Sequence, residues 1–265
     1  MLIFIIPLKS ATVSVSWERV SSLFERCVKS VCNQSSSEFR VIVVCHERPK
    51  VQFHHPSITY VEVDFAIPVP RDDTDMESKD TDKSRKIWTG LVHAQQFNPS
   101  HIMFVDADDC VSKHLAEFIS KNTRHAGWFI SKGYQYRDGS NTVISRNSNF
   151  HRKCGTSHIV RFDILKSIMK DIQFNEIKGW NFLYHQEINN MVLEKGETLE
   201  PLPFKGAIQT INNGENICNQ ENILIEMLGA NPKKMLFYYL RKIGKLLISR
   251  PLTEHLRQEF TLYKV

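Results

Sequence analysis

The sequence predicts an α/β protein with a parallel sheet, and two patterns support this prediction. Short apolar runs of strand length alternate with longer stretches in which the apolar residues follow helical spacing. The first run, the first helical stretch and the second run all fall within residues 2–45. The two strands of such a strand–helix–strand unit are parallel, because the helix carries the chain back along one face of the sheet.

Composition limits the classes of protein that this chain can be. Its 265 residues are 42% hydrophobic and 24% charged, which is a globular composition sufficient for one large core, or for one domain and an extension. The net charge of +5 permits anionic partners, but no motif for reading bases is present, so nucleic acid is not an expected partner. No apolar run reaches the length of about 18 residues that a membrane span needs.

We expect a cytoplasmic protein. The apolar N-terminus is too short for the core of a signal peptide and lacks a basic segment before it. No pair of cysteines has the C-x-x-C spacing, and several of the six lie inside apolar segments, so we predict buried or free thiols rather than disulfides: Cys27, Cys32, Cys45, Cys110, Cys154 and Cys218.

The N-terminal elements follow from their apolar patterns. A continuous apolar run with β-branched residues predicts a central strand at residues 2–6, and similar runs predict strands at 39–45 and 58–63. Between the first two, Val20, Leu23, Phe24, Cys27 and Val31 have the spacing of one helical face, which predicts a helix over residues 17–32.

A polar, acid-rich stretch at residues 66–82 predicts an exposed loop, and a helix is expected over residues 83–97. Lys83, Arg85 and Lys86 would then lie in the first turn of that helix, where cations oppose the helix dipole. A bound anion such as a diphosphate would offset this cost, and ordinary surface charge is the alternative.

Acidic residues follow the next predicted strand, Ile102 to Val105. Open α/β sheets bind ligands beyond the carboxyl ends of their strands, and Asp106 and Asp108 stand at that point. Their spacing allows both carboxylates to converge on one divalent cation, and hard oxygen ligands suit Mg²⁺ or Mn²⁺. The alternative is a turn with a helix cap, in which aspartate is also common.

The second half of the chain predicts further short elements. We expect helices at 113–120, 163–170 and 185–195, strands at 128–136, 141–145 and 155–160, and an edge strand within 198–211. From about Asn231, basic and apolar residues alternate in the pattern of an amphipathic helix. This helix could lie on an anionic membrane, which would place the protein at the inner face of that membrane, or pack on its own domain.

The order of these segments resembles the family 2 glycosyltransferases of the GT-A fold. The resemblance is carried by the strand I-F-I-I-P, the helix L-F-E-R-C-V-K-S-V-C-N-Q, the strand F-R-V-I-V-V and the segment F-V-D-A-D-D. It covers residues 2–120 well and extends loosely to about 220. It implies a GT-A-like, mostly parallel sheet with helices on both faces. The implied domain is 1–225, with a nucleotide-sugar half (1–120) and an acceptor half (121–225), and a helical extension follows at 226–265.

The resemblance also implies roles for individual residues. Asp106 would lie near the ribose and the metal, Asp108 would bind Mn²⁺ or Mg²⁺, and Lys83 would contact a phosphate. The nucleoside pocket would be lined by Pro7, Leu8 and Lys9. After the second strand, Cys45-His46-Glu47-Arg48 replaces the acidic turn usual in the family, and Glu47 is the substitute for its acid, so the identity of the nucleotide stays open.

The acceptor side needs a base opposite the leaving group, if the reaction inverts the anomeric centre. Glu187 is the favoured base and His185 its rival, with a surface glutamate as the alternative. Trp180 would stack on an acceptor sugar or lie in the core, and His158 would face the donor or lie in the core. Residues 213–216 would close over the diphosphate.

We therefore expect a metal-dependent, inverting glycosyltransferase that moves a sugar from a nucleotide-sugar, with UDP-sugars favoured, to a glycan or lipid-linked acceptor. Envelope or surface polysaccharide assembly is the pathway expected by analogy. A nucleotidyltransferase is disfavoured because residues 7–10 contain no glycine. A catalytically degenerate module that binds sugar nucleotides or glycans is the alternative outside the enzymes.

Overall fold

A computed structural model describes residues 1–67, 75–215 and 248–265, and the strands in these ranges form two sheets. The larger sheet has the order β10-β6-β9-β4-β1-β2-β3. Its strands are β1 (Leu2–Pro7), β2 (Phe39–Cys45), β3 (Ile58–Glu62), β4 (His101–Phe104), β6 (Gly127–Phe129), β9 (His158–Arg161) and β10 (Glu200–Pro201). The smaller sheet has the order β12-β8-β7-β11-β5, with β5 (Cys110–Val111), β7 (Gly133–Arg137), β8 (Thr142–Arg146), β11 (Ala207–Ile211) and β12 (Ser249–Pro251).

The larger sheet is parallel where the chain was expected to form βαβ units. Strands β3, β2, β1 and β4 are all parallel, and the carboxyl ends of β1, β2 and β4 therefore meet at one edge. Strand β9 then pairs antiparallel with both β4 and β6. The predicted mostly parallel α/β fold is confirmed, and its edge with three adjacent carboxyl ends is the place where a ligand is expected.

Helices cover both faces of this sheet, because alternate residues of each buried strand point to opposite sides. On one face, Phe4 of β1 packs with α1 (Trp17–Cys32) and α3 (Leu115–Lys121). On the other face, Ile5 of β1 packs with α2 (Met76–Ala94), α4 (Phe162–Met169) and α5 (Ile188–Glu194). Strands β1, β2 and β4 are buried on both faces, which explains why their sequences are continuous apolar runs.

Helix α2 begins seven residues earlier than the sequence analysis predicted. Asp75 caps it, because its carboxylate accepts a 3.1 Å hydrogen bond from the backbone N–H of Ser78. The prediction of a loop is therefore wrong for residues 76–82, while residues 68–74 lie outside the described ranges. Lys83, Arg85 and Lys86 lie beyond the first turn of α2, where the helix dipole has little effect on them.

Two predictions for the second half are also corrected. The stretch predicted as one strand at 128–136 is divided between β6 and β7, which belong to different sheets. The chain crosses between the sheets at Gly133, where a Cβ atom would lie 2.6 Å from the ring of Phe150 and 2.9 Å from the carbonyl oxygen of Ala207. The edge strand predicted within residues 198–211 is two strands, of which β10 lies at an edge of the larger sheet and β11 lies between β7 and β5 in the smaller sheet.

The C-terminal residues belong to the smaller sheet. Ser249–Pro251 was predicted as helix but forms β12, which pairs antiparallel with β8, and α6 (Glu254–Phe260) follows it. Phe260 packs with Tyr136 of β7 and Val143 of β8. The predicted amphipathic helix from Asn231 lies outside the described residues up to position 247, and the division of domains at 225 stays a prediction.

Two further findings concern the described residues alone. None of the helices in the described ranges has the length and hydropathy that crossing a membrane requires. The five described cysteines are free thiols, and all but Cys32 are buried, while Cys218 lies outside these ranges.

Candidate functional site

Asp106 and Lys83 form the centre of a polar group at the carboxyl end of β4. The Nζ atom of Lys83, in the middle of α2, contacts Oδ1 of Asp106, and about one third of each side chain is exposed. Burial disfavours the ammonium group, but the Asp106 carboxylate outweighs this effect and raises the pKa of Lys83. A fixed positive charge therefore lies beside a carboxylate at the edge of the sheet.

Gly155 leaves the space that this ion pair occupies. A Cβ atom on Gly155 would lie 2.5 Å from Oδ2 of Asp106 and 2.8 Å from Nζ of Lys83. The backbone of the loop before β9 therefore closes on the pair more tightly than any other residue type would allow without movement.

Asp108 is a second half-buried carboxylate on the same turn. Its Oδ2 accepts a 2.7 Å hydrogen bond from Nδ2 of Asn213, and its carbonyl oxygen accepts a 2.6 Å bond from the hydroxyl of Thr210. Burial and the charge of Asp106 raise the pKa of Asp108 to about 6, which the hydrogen bond from Asn213 partly offsets. The repulsion between Asp106 and Asp108 shows that the two carboxylates share one electrostatic environment.

Asp109 lies in the core and connects the two sheets around this turn. Its Oδ2 accepts a 2.6 Å bond from the hydroxyl of Thr156, beside β9, and its Oδ1 accepts a 2.8 Å bond from the backbone N–H of Thr210, in β11. The thiol of Cys154 donates to the same carboxylate at 3.2 Å. Burial raises the pKa of Asp109 well above its ordinary value. The sequence analysis assigned no role to Asp109, Thr156 or Thr210, and only the adjacency of three aspartates could have indicated one.

The loop after β1 is held by charged residues from distant parts of the chain. The Glu47 carboxylate accepts a 2.9 Å bond from the hydroxyl of Ser10 and another bond from the backbone N–H of Ala11. Lys9 forms a 2.7 Å ion pair with Glu215. Glu47 therefore lies beside the predicted pocket of Pro7, Leu8 and Lys9, but its carboxylate is already engaged in holding the loop.

A buried ion pair that the sequence analysis missed lies beneath the same loop. Lys86 has no exposed surface, and its Nζ donates at 2.6 Å to Asp82 and at 2.7 Å to the carbonyl oxygen of Leu8. The other oxygen of Asp82 lies 2.9 Å from Nε2 of His46, directly after β2. The spacing of Asp82 and Lys86, four residues apart, was the available signal. This chain of contacts links α2 to the carboxyl ends of β1 and β2.

The two predicted base residues differ in their environment. His185 is half-buried just before α5, and burial together with the charge of Lys83 lowers the pKa of His185 to about 4, although the charge of Asp106 opposes this shift. Glu187 is exposed directly before α5, and its carboxylate accepts a 2.8 Å bond from Asn190 of that helix. The charges of Lys83 and Asp106 thus act on His185, whereas Glu187 is exposed and bound to Asn190.

The structure decides whether His158 and Trp180 lie in the core. His158 is fully buried with its Nδ1 3.1 Å from the hydroxyl of Ser157, and burial lowers its pKa to about 3, so the alternative of a core position is confirmed. Trp180 is 53% exposed, so the alternative of a core position is wrong for this residue. Asn213 binds Asp108 as described above, while Asn216 lies outside the described residues.

The carboxylates of Asp106 and Asp108 would hold a divalent cation only together with further ligands, such as the phosphates of a substrate. No group of three or more His, Cys, Asp or Glu side chains in the described ranges is arranged to hold a metal ion. Mg²⁺ is commonly bound by one or two carboxylates together with substrate phosphates. Asp106 and Asp108 would supply such a pair. A bound cation would relieve the repulsion by Asp106 that contributes to the raised pKa of Asp108.

Comparisons with known proteins establish the fold. No protein-family profile and no curated protein sequence matches the chain. Residues 1–349 of S. aureus TarS in complex with UDP-GlcNAc are similar in structure, with a TM-score of 0.51, 14% identity, and coverage of 88% of this chain and 68% of that chain. The same fragment with UDP gives a TM-score of 0.49, with 14% identity and coverage of 88% and 67%. The cytidylyltransferase IspD of Francisella tularensis gives 0.40, with 11% identity and coverage of 85% and 98%. The likeness to TarS agrees with the GT-A-like fold expected from the sequence, and at this identity it establishes the fold alone.

Proposed function

We propose that this chain is a glycosyltransferase that takes a sugar from a nucleotide-sugar, preferably a UDP-sugar, and transfers it to a glycan or lipid-linked acceptor. One observation carries the proposal: Asp106, Asp108 and Lys83 meet at the carboxyl end of β4 in a GT-A-like sheet. TarS, which shares this fold, was crystallised with UDP-GlcNAc. Transfer from a nucleotide-sugar releases a nucleoside diphosphate, whose negative charge Lys83 and a cation held by the two carboxylates would stabilise.

The proposed donor site assigns each charged residue a separate task. Asp106 and Asp108 would hold Mn²⁺ or Mg²⁺, which supplies charge stabilisation to the leaving diphosphate. Lys83 would contact a phosphate oxygen, and its ion pair with Asp106 keeps the ammonium group at that edge of the sheet. The nucleoside would lie against Pro7, Leu8 and Lys9, with Glu47 holding the loop in place.

The charges acting on His185 favour it over Glu187 as the base that accepts a proton from the acceptor hydroxyl. His185 is neutral at pH 7, because its pKa is about 4, so it has a free nitrogen lone pair. Part of the lowering comes from the charge of Lys83, and a bound diphosphate would counter that charge and raise the pKa of His185 toward the range useful in catalysis. An inverting reaction is the chemistry that such a base serves.

The experiment that tests the proposal is a thermal-stability screen of the whole chain. UDP, GDP, CDP, UDP-glucose and UDP-GlcNAc would each be added with Mn²⁺ and with EDTA. A ligand that binds only the folded state raises stability by mass action. We expect a Mn²⁺-dependent rise with UDP and its sugars, absent in Asp108→Ala but retained in Glu194→Ala, a matched removal of an exposed carboxylate on α5.

The same samples would then be assayed for release of UDP from the UDP-sugars. A Mn²⁺-dependent shift with release of UDP supports the proposal. A shift without release, also in the presence of oligosaccharide acceptors, would identify a degenerate binding module. No shift with any nucleotide would overturn the donor site.

Membrane contact is a separate proposal that depends on the basic segment after Asn231. Because β12 and α6 belong to the smaller sheet, deleting the C-terminus would damage the fold, and charge removal is the better test. The variant would carry glutamine at Lys233, Lys234, Arg241, Lys242 and Lys245. Loss of co-sedimentation with vesicles containing anionic lipid supports the contact, and unchanged co-sedimentation contradicts it.

A further inference from the structure

Trp180 is an exposed aromatic residue whose orientation is fixed from two sides. Its indole N–H donates a hydrogen bond to the carboxylate of Asp80, and its ring stacks on Tyr184 with centroids 5.5 Å apart and planes inclined by 25°. With 53% of its surface exposed, the ring still offers a large apolar area to a ligand. Single exposed apolar residues are common and need no explanation, but here a carboxylate and a second ring hold the exposed indole in one orientation.

The segment that carries Trp180 is anchored to α2 by buried polar contacts. The backbone N–H of Gly179 donates to the hydroxyl of Thr81 at 2.7 Å, and the hydroxyl of Ser84 donates to the carbonyl oxygen of Phe182 at 3.2 Å. Both hydroxyl-bearing residues are buried. Trp180 is therefore set on a rigid support, which lowers the entropy lost when a ligand orders the ring.

This aromatic surface is continuous with the candidate donor site. Asp80 lies three residues before Lys83 on α2, so the two side chains share one side of the helix. At the other end of this surface, away from Asp80, the ring of Tyr184 packs against the ring of His185 with centroids 4.6 Å apart. The surface formed by Trp180, Tyr184 and Asp80 thus adjoins both the Lys83–Asp106 ion pair and the proposed base.

The chemistry of this surface indicates the class of ligand. A pyranose ring has an apolar face of C–H groups, which packs on the negative face of an aromatic ring, and hydroxyl groups, which donate to a carboxylate. A bare phosphate or an acidic headgroup would be repelled by Asp80. We propose that Trp180, Tyr184 and Asp80 form a subsite for a neutral sugar ring, and that the acceptor is therefore the end of a glycan rather than a lipid phosphate.

This inference rests on the proposed function, and its test separates the two. Binding of three neutral oligosaccharides, cellotriose, maltotriose and chitotriose, would be measured by calorimetry with the whole chain, with and without UDP and Mn²⁺. We expect at least one to bind, and to bind at least tenfold more weakly to Trp180→Ala and Asp80→Ala. Trp180→Phe, which keeps a ring, should lose less affinity than Trp180→Ala. Leu193→Ala removes an exposed apolar side chain from α5, where Leu193 is 62% exposed, and should bind the oligosaccharide with the affinity of the wild type.

Each outcome decides one of the two proposals. If UDP binds but no oligosaccharide does, or if Trp180→Ala binds as the wild type does, the subsite is overturned and the donor site stands. If oligosaccharide binding requires Trp180 but no nucleotide binds, the subsite stands and the proposed transfer reaction falls. Thermal melting of each variant shows whether it is folded. If Trp180→Ala does not fold, the affinity of Trp180→Phe still tests the subsite.

Discussion

The hydroxyl of Thr156 donates a 2.6 Å hydrogen bond to Oδ2 of Asp109 and accepts a 2.9 Å bond from the backbone N–H of Asp106. One buried hydroxyl thus joins the most buried aspartate of the turn to the one that faces the ligand edge. Because Asp109 also binds the backbone N–H of Thr210, and Thr210 binds the carbonyl oxygen of Asp108, the positions of both candidate metal ligands depend on this network.

We expect Asp109→Ala to lower the free energy of unfolding by about 2–4 kcal/mol, because it leaves the hydroxyl of Thr156 and the N–H of Thr210 buried without an acceptor. Asp109→Asn retains one side-chain oxygen as an acceptor, so it should lower the free energy of unfolding by less than Asp109→Ala does. The measurement is urea denaturation at pH 7. Asp171→Ala, which removes an exposed carboxylate, is the control and should change stability by under about 0.5 kcal/mol. A similarly small change in Asp109→Ala would show that the network is dispensable.

The raised pKa of Asp108 predicts that this residue destabilises the protein at neutral pH. Well below pH 4, the carboxyl group of Asp108 is protonated in both the folded and the unfolded state. Between pH 4 and 6 the folded state holds the proton more tightly than the unfolded state, so the free energy of unfolding falls as the pH rises through this window, and above pH 6 the penalty is complete.

Asp108→Asn should therefore be more stable than the wild type by about 1–3 kcal/mol at pH 7, with the difference vanishing near pH 4. Denaturation curves at pH 4, 5, 6 and 7 measure this convergence. Mn²⁺ with UDP should stabilise the wild type and not the variant. A variant less stable than the wild type at every pH would mean that the hydrogen bond with Asn213 outweighs the cost of burying the charge.

Gly155→Ala should weaken donor binding with little loss of stability. The added Cβ would meet the ends of Asp106 and Lys83, which are flexible side chains and can move, so the ion pair is displaced and the fold is retained. We expect at least a tenfold weaker affinity for UDP with Mn²⁺ by calorimetry, and a melting temperature within a few degrees of the wild type. Unchanged affinity would show that the donor phosphates do not depend on this arrangement of the pair.

The two base candidates differ in the expected cost of their removal. If His185 accepts the acceptor proton, His185→Gln should lower the transfer rate by about 10²- to 10⁴-fold, the range usual for a general base. Glu187→Gln should change the rate only slightly, because its carboxylate is exposed and binds Asn190. Steady-state rates with saturating donor and acceptor measure both, and the reverse order of effects would assign the base to Glu187. UDP affinity measured in parallel separates a catalytic loss from a binding loss.

Local patterns predicted the central elements well. The predicted helix at 17–32 and the strand at 39–45 match α1 and β2, and Asp106 and Asp108 follow β4 as expected. These elements can be predicted because their buried residues recur at a regular spacing within one short segment of the sequence. The start of α2 was missed although the sequence contains its signal, a cap at Asp75 followed by Glu77, because the acidic content of residues 66–82 was taken to indicate a loop.

The remaining differences arise from contacts between residues far apart in the chain. The division between β6 and β7 places Gly133 close to Phe150 and Ala207, and no local pattern contains that contact. The engagement of Glu47 by Ser10, and the exposure of Trp180, likewise depend on how separate segments pack.

By itself, the sequence determined the α/β class, the order of the first strands and helices, and the acidic turn after β4, because these follow from hydrophobic periodicity and from residue types at strand ends. The tertiary structure decided which charges meet: Lys83 with Asp106, Asp82 with Lys86 and His46, and Asp109 with both sheets. Most of these partners are far apart in the sequence or on different elements and come within contact distance only when the chain folds. A buried charge needs such a nearby partner because burial removes its hydration.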